Sequence, residues 1–151
     1  MKLATALSER ADLQRRLAAL QNRLNNNAKV QEGEVPAEAP KTLLAELDGI
    51  LTRLEELITK INLTNSLTVA EGETLTAKLA RRDCLSKRVS MMRSFLDCAS
   101  ARVDRYSKTE IKISSTVDVA KLQKQVDEQS KTLRELDEEI QALNWTTELK
   151  E

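Results

Sequence analysis

Leucines at helical spacing occur in two sets, and the second set copies the first. Leu3, Leu7, Leu13, Leu17, Leu20 and Leu24 stand 72 residues before Leu75, Leu79, Leu85, Val89, Met92 and Leu96. Arg10 and Arg16 stand at the same offset from Arg82 and Arg88. A second block matches at an offset of 82, with Leu51, Leu54, Ile58 and Ile61 on Leu133, Leu136, Ile140 and Leu143. Any two leucine-rich helices align somehow. The paired arginines and the Asn-x-Thr closing both halves (Asn62, Thr64; Asn144, Thr146) turn the match into a duplication. We therefore expect one helical domain over residues 1–151, with internal repeats 3–67 and 75–149.

Each half reads as helix, loop, helix and tail. Apolar spacing predicts helix from Leu3 to about Asn27, from Pro40 to about Ile61, from Leu75 to about Asp104, and from Val119 to about Leu143. Gly33 and Pro36 break the first pair in the Val30–Pro40 loop, and Pro40 suits the first turn of the second helix. Leu63–Val69 leans toward strand, Glu71-Gly72 toward a turn, and Thr74 is a candidate cap. Glu110–Val117 alternates and is β-branched, which predicts a strand, and Asp118 is placed to cap the last helix. Two amphipathic hairpins bury their stripes most simply against each other. The expected fold class is all-α, a four-helix bundle of two duplicated α-hairpins, with short β pieces around Val30, Thr64, Ile113 and Thr146 pairing at its ends.

Only 3 Gly and 2 Pro among 151 residues, with 32% charged residues, fit long helices and exclude a sandwich or barrel. The 24 basic and 24 acidic residues cancel, so no global field draws nucleic acid or an anionic membrane. The absence of histidine removes Ser-His-Asp and Cys-His nucleophile systems and the usual zinc ligands. No apolar run approaches the roughly 18 residues a bilayer span needs, and the first ten residues become charged before a signal-peptide core develops. Cys84 and Cys98 share one predicted helix about 21 Å apart, too far to bridge. Free thiols fit a cytoplasmic protein, and the cytoplasm is the expected location.

The Asn-x-Thr pairs match a glycosylation acceptor, but asparagine also suits the left-handed residue that ends a helix, and we expect caps. Arg10 and Arg82 lie at the edge of the leucine stripe. They are expected to reach surface carboxylates such as Glu56 and Glu138; the functional alternative is a guanidinium pair binding an anion. Glu135 and Glu138 have the Glu-x-x-Glu spacing of some metal-dependent all-α hydrolases, yet the facing helix carries Glu55-Glu56-Leu57-Ile58, so no metal, cofactor or catalytic residue is assigned.

The two halves differ most on the third helix. Ala77, Ala80, Cys84, Met91, Phe95 and Cys98 form a second apolar stripe, about 120–140° from the core stripe. The residues 72 earlier are Thr5, Ser8, Asp12, Ala19, Arg23 and Asn26, which are mostly polar. A bundle needs one stripe per helix. The second stripe is covered either by the chain's own 30–40 or 110–117 segment, or by another copy. We expect a homo-oligomer with Cys84, Met91, Phe95 and Cys98 in the interface.

Met1–Asp12, Asn27–Gly33, Asp104–Ser107, Glu110–Lys112, Val117–Val119 and Asn144–Leu149 give the chain its resemblance to the septicolysin-like family of uncharacterised bacterial proteins. The resemblance implies a helical fold with small β pieces and a homo-oligomer, a hexamer being one form, and the family's label implies a membrane-active cytolysin. Three readings follow: a self-associating cytoplasmic protein without enzymatic activity, a small hydrolase or anion-binding bundle using Arg10, Arg82 and the helix carboxylates, and a cytolysin-like protein.

Overall fold

The computed structural model describes residues 1–101 and 112–151. The chain is all-α, and its described residues form four helices and one two-stranded sheet: α1 (Leu3–Asn26), α2 (Pro40–Leu67), β1 (Val69–Ala70), β2 (Glu73–Thr74), α3 (Leu75–Ser100) and α4 (Val119–Thr146). It divides into two compact units, Met1–Leu75 with Gln141–Glu151, and Thr76–Ile140.

In the first unit, Leu3, Ala6, Leu13 and Leu20 of α1 and Leu43, Ile50, Leu54, Leu57 and Ile61 of α2 are buried. Each large side chain removed from water stabilises by about 1.5–3 kcal/mol, so this seam outweighs any single ion pair. Pro40 opens α2 at its first position, where its missing N–H costs nothing. Asn27 closes α1: its Nδ2 donates to Arg23 O at 2.9 Å and its Oδ1 accepts from Glu38 N–H at 3.0 Å. Both its amide groups are thus used to hold the loop. β1 and β2 pair antiparallel, Val69 with Thr74 and Ala70 with Glu73. Their turn needs positive φ at both central residues, which Glu71 (54°) and Gly72 (78°) supply.

The chain's first and last segments meet in this unit. Lys2 and Glu148 form an antiparallel bridge. Leu3 N–H donates to Thr147 O at 2.9 Å and Leu149 N–H to Met1 O at 2.8 Å. Thr64, fully buried, accepts from Lys150 N–H at 2.9 Å.

In the second unit, Val89 and Leu96 of α3 and Val126 of α4 form the core, with Leu85, Met92, Val119, Leu122 and Leu133 packed on it. Asp118 Oδ1 accepts from Lys121 N–H at 3.1 Å, the N-cap its position predicted.

Several boundaries differ from expectation. Of Leu63–Val69 only Val69 is strand: α2 continues to Leu67 and β1 opens at Val69. The Thr64 hydroxyl donates to Lys60 O and the Thr68 hydroxyl to Thr64 O, so the helix satisfies both, and burial of Ile61 and Thr64 overrides a propensity deficit of less than about 1 kcal/mol each. Asn62 and Asn144 accordingly lie inside helices rather than capping them, and neither has positive φ. Thr64 and Thr146 are helical, and Val30 and Ile113 belong to no strand, so the β pieces are instead 69–74 and the Lys2–Glu148 bridge. Residues 112–117 form no strand because Ser115 Oγ folds locally onto Val117, accepting its N–H and donating to its carbonyl. The expected strand positions Glu110 and Ile111, and the expected helix end Asp104, lie outside the described residues; α3 as described ends at Ser100.

Candidate functional site

The second stripe of α3 is open to solvent. Met91 is 74% and Phe95 44% exposed, and Cys84 and Cys98 are exposed free thiols. Ala77 and Ala80 are exposed above them. The core of the unit uses Leu85, Val89, Met92 and Leu96, on a different face of the same helix. Toward the end of α3, Phe95, Cys98 and Ala99 line a groove of about 270 Å³ with Ile113, Ser114, Ser115 and Thr116. The 112–117 segment therefore borders the stripe, yet Phe95 stays nearly half exposed and Ile113 is itself 65% exposed. The alternative cover, loop 30–40, belongs to the first unit.

α2 carries a face that the sequence reading did not separate from its core. Leu44 is 50%, Leu51 43% and Ile58 37% exposed, each seven residues from the next. The signal was available in the number of apolar positions on α2, which is more than one stripe holds.

The repeated arginines do not share a role. Arg10, half-buried in the first unit, has a buried Nε without a hydrogen-bond partner in the described residues. Glu56, its expected partner, is instead held by Lys60 at 2.9 Å and Arg53 at 2.8 Å. Arg53 also forks onto Glu9 at 2.7 and 3.0 Å. Arg82 meets Asp83 at 3.1 Å and Asp137 at 3.4 Å rather than Glu138. Glu138 lies one helical turn from its own partner, Arg134, at 3.9 Å. Arg82, Arg93 and Arg134 line an open cleft of about 400 Å³ with Ser86, Ser130, Asp83 and Asp137. Two carboxylates in that cleft already offset most of its positive charge, and Arg93 donates to Ser130 Oγ at 3.0 Å.

Carboxylates are committed in the same way. Glu135 faces Lys131 at 3.9 Å and Glu139 holds Lys78 at 2.6 Å. Among the described residues, no three Cys, Asp or Glu side chains are grouped so as to hold a metal ion. In the first unit, hydrogen bonds from Arg53 hold the Glu9 carboxyl below its ordinary pKa, Arg23 does so for Glu38, Lys60 and Arg53 for Glu56, and Lys2 for Glu148. Arg23 spans the loop, reaching Glu38 at 2.6 Å and Glu46 at 3.2 Å. These groups lie half-exposed at the surface, and their pairing fixes loop and helix register rather than poising an acid or base.

Lys78 is a buried charge that sequence reasoning missed. It is 2% exposed, on α3, and its salt bridge to Glu139 joins α3 to α4. By the offsets of 72 and 82, these residues align with Ala6 and Leu57, which are both fully buried. The duplication itself therefore marked both as core positions. The alignment is not uniform, since Ile58 is 37% exposed and its counterpart Ile140 fully buried.

The Asn-x-Thr acceptor reading meets a steric obstacle at both sites: Thr64 and Asn144 are buried. Among the described residues, no helix is long and apolar enough to cross a membrane.

Residues 10–149 match the model of a family of unknown function (DUF6847). The chain is similar to a crystal structure of a functionally unknown conserved protein from Corynebacterium diphtheriae, at 44% identity and a TM-score of 0.93 over 99% of each chain. No curated protein matches it.

Proposed function

We propose that this chain, which belongs to the DUF6847 family of unknown function, is a self-associating structural or interaction protein without enzymatic activity, and that the outer stripe of α3 is its subunit contact. The observation that carries the reading is the exposure of Met91 and Phe95 on a face the hairpin core does not use. Apolar side chains aligned on one exposed face mark contact surfaces more often than solvated ones. Cys84 and Cys98, exposed and unbridged, lie on the same face and favour a reducing cytoplasm. A homo-oligomer is also what the resemblance to septicolysin-like proteins implies; a pore-forming activity forms no part of the proposal.

Light scattering after size exclusion tests it. Wild type at micromolar concentration should elute above 17.0 kDa, and Phe95→Glu should shift toward the monomer with its helical circular dichroism intact. A monomeric wild type, or a Phe95→Glu variant of unchanged mass, overturns it.

Arg10 supports a second reading, anion binding, because its buried Nε has no partner among the described residues. Phosphate or sulfate should then raise the melting temperature of wild type and leave Arg10→Met unmoved. An equal rise in both assigns the effect to bulk salt.

A further inference from the structure

We propose that the stripe of α3 docks antiparallel on α2 of a second copy, against Leu44, Leu51 and Ile58. This rests on the self-association read above and names the partner surface. Both faces are exposed in the single chain, and both repeat every seven residues: Leu44, Leu51 and Ile58 on one, Ala77, Cys84, Met91 and Cys98 on the other. Seven residues are two helical turns, about 10.5 Å, so the two rows keep step along their contact. Their sizes also complement each other. Ala77, Ala80 and Cys84 before Met91, and Cys98 after Phe95, leave hollows on either side of the two large side chains, and α2 presents branched apolar side chains to fill them.

Charge selects this pairing over the alternatives. Asp48 and Glu55 follow Leu44 and Leu51 by four residues, and Arg81 and Arg88 follow Ala77 and Cys84 by four. All four are exposed, and Asp48, Glu55 and Arg88 make no salt bridge among the described residues. In an antiparallel pair these flanking positions face one another. An α2–α3 contact sets acid against base. An α3–α3 contact would set Arg81 against Arg88, and an α2–α2 contact Asp48 against Glu55, both like-charged and disfavoured. A contact between two different patches is heterologous, so repetition closes a ring or extends a filament.

Complementation between two crippled copies tests this. Leu51→Glu disables the α2 face and Phe95→Glu the α3 face, and neither residue is in a hairpin core. Each variant alone should be monomeric. Mixed in equal amounts, they should form a particle of twice the 17.0 kDa monomer mass and stop there, since each then has one working face. No dimer on mixing overturns the proposal. Assembly of Leu51→Glu like wild type also overturns it, while leaving the α3 reading intact. Assembly of Phe95→Glu like wild type, or a monomeric wild type, removes the α3 reading and this proposal with it. Circular dichroism checks each fold. Glu55→Arg replaces Leu51→Glu if that variant unfolds, with the same outcomes.

Discussion

Removing one partner of the Lys78–Glu139 pair should cost far more than removing both. Lys78 is 2% exposed and its Nζ lies 2.6 Å from Glu139 Oε1, whose side chain is 33% exposed. Glu139→Leu strands an ammonium in a buried site. Losing one side of a buried pair costs about 3–5 kcal/mol, and the partial exposure of Glu139 places this case near the lower end. With a urea dependence of about 1–3 kcal/mol per molar, a loss of about 3 kcal/mol lowers the unfolding midpoint by roughly 1–3 M. Lys78→Met combined with Glu139→Leu removes both charges at similar volume, and the aligned positions, Ala6 and Leu57, are already apolar and buried. It should recover wild-type stability or exceed it, by up to about 4 kcal/mol. Urea titration followed by circular dichroism gives the double-mutant cycle. A Glu139→Leu cost below about 1 kcal/mol, or a double variant no more stable than that single one, would refute the argument that the pair is a buried charge exchange for an apolar layer.

Thr64→Val removes the acceptor of the Lys150 amide at a fully buried position and should cost about 1–3 kcal/mol, with faster hydrogen exchange at Lys150; unchanged exchange there would show that water replaces the hydroxyl. Glu9, Glu38, Glu56 and Glu148 are all depressed in the folded chain, so the stability they supply is present above the unfolded glutamate value of about 4.3 and disappears as pH falls through their lower folded values. With no histidine, thermal melts should be flat between about pH 5.5 and 7.5 and fall only below about 4.5. Cys84 and Cys98 should both react with a thiol reagent in dilute Phe95→Glu and more slowly in assembled wild type; equal rates would place them outside the contact.

The sequence was most legible where backbone chemistry is local. Pro40 can open a helix but not continue one, Asp118 can cap one, and Glu71-Gly72 can turn a two-residue hairpin, and each does so. It was least legible where tertiary burial competes with propensity. Leu63–Leu67 reads as strand in isolation, but Thr64 is buried and its hydroxyl bonds within the helix. The partners of Arg10 and Arg82 were misread because a helical wheel gives an angle and not a reach: Arg53 and Lys60 lie closer to Glu56, on its own helix. For the candidate contact, the α3 stripe was visible because its counterpart positions on α1 are polar. Leu44, Leu51 and Ile58 were hidden among the other leucines of α2, since apolar identity does not say which of two adjacent faces is covered.

The first unit is assembled from two separated stretches of chain, Met1–Leu75 and Gln141–Glu151. On a ribosome adding about 5–20 residues per second, the α1–α2 hairpin emerges complete in its helices and then waits roughly 4–17 s for the stretch that finishes it. Through that interval Leu3 N–H has no Thr147 carbonyl, Met1 O no Leu149 amide and Thr64 no Lys150 amide. The nascent hairpin must stay in solution, unpaired at that edge, until Gln141–Glu151 close it. The residues that complete the first unit are made only after the whole of the second, Thr76–Ile140.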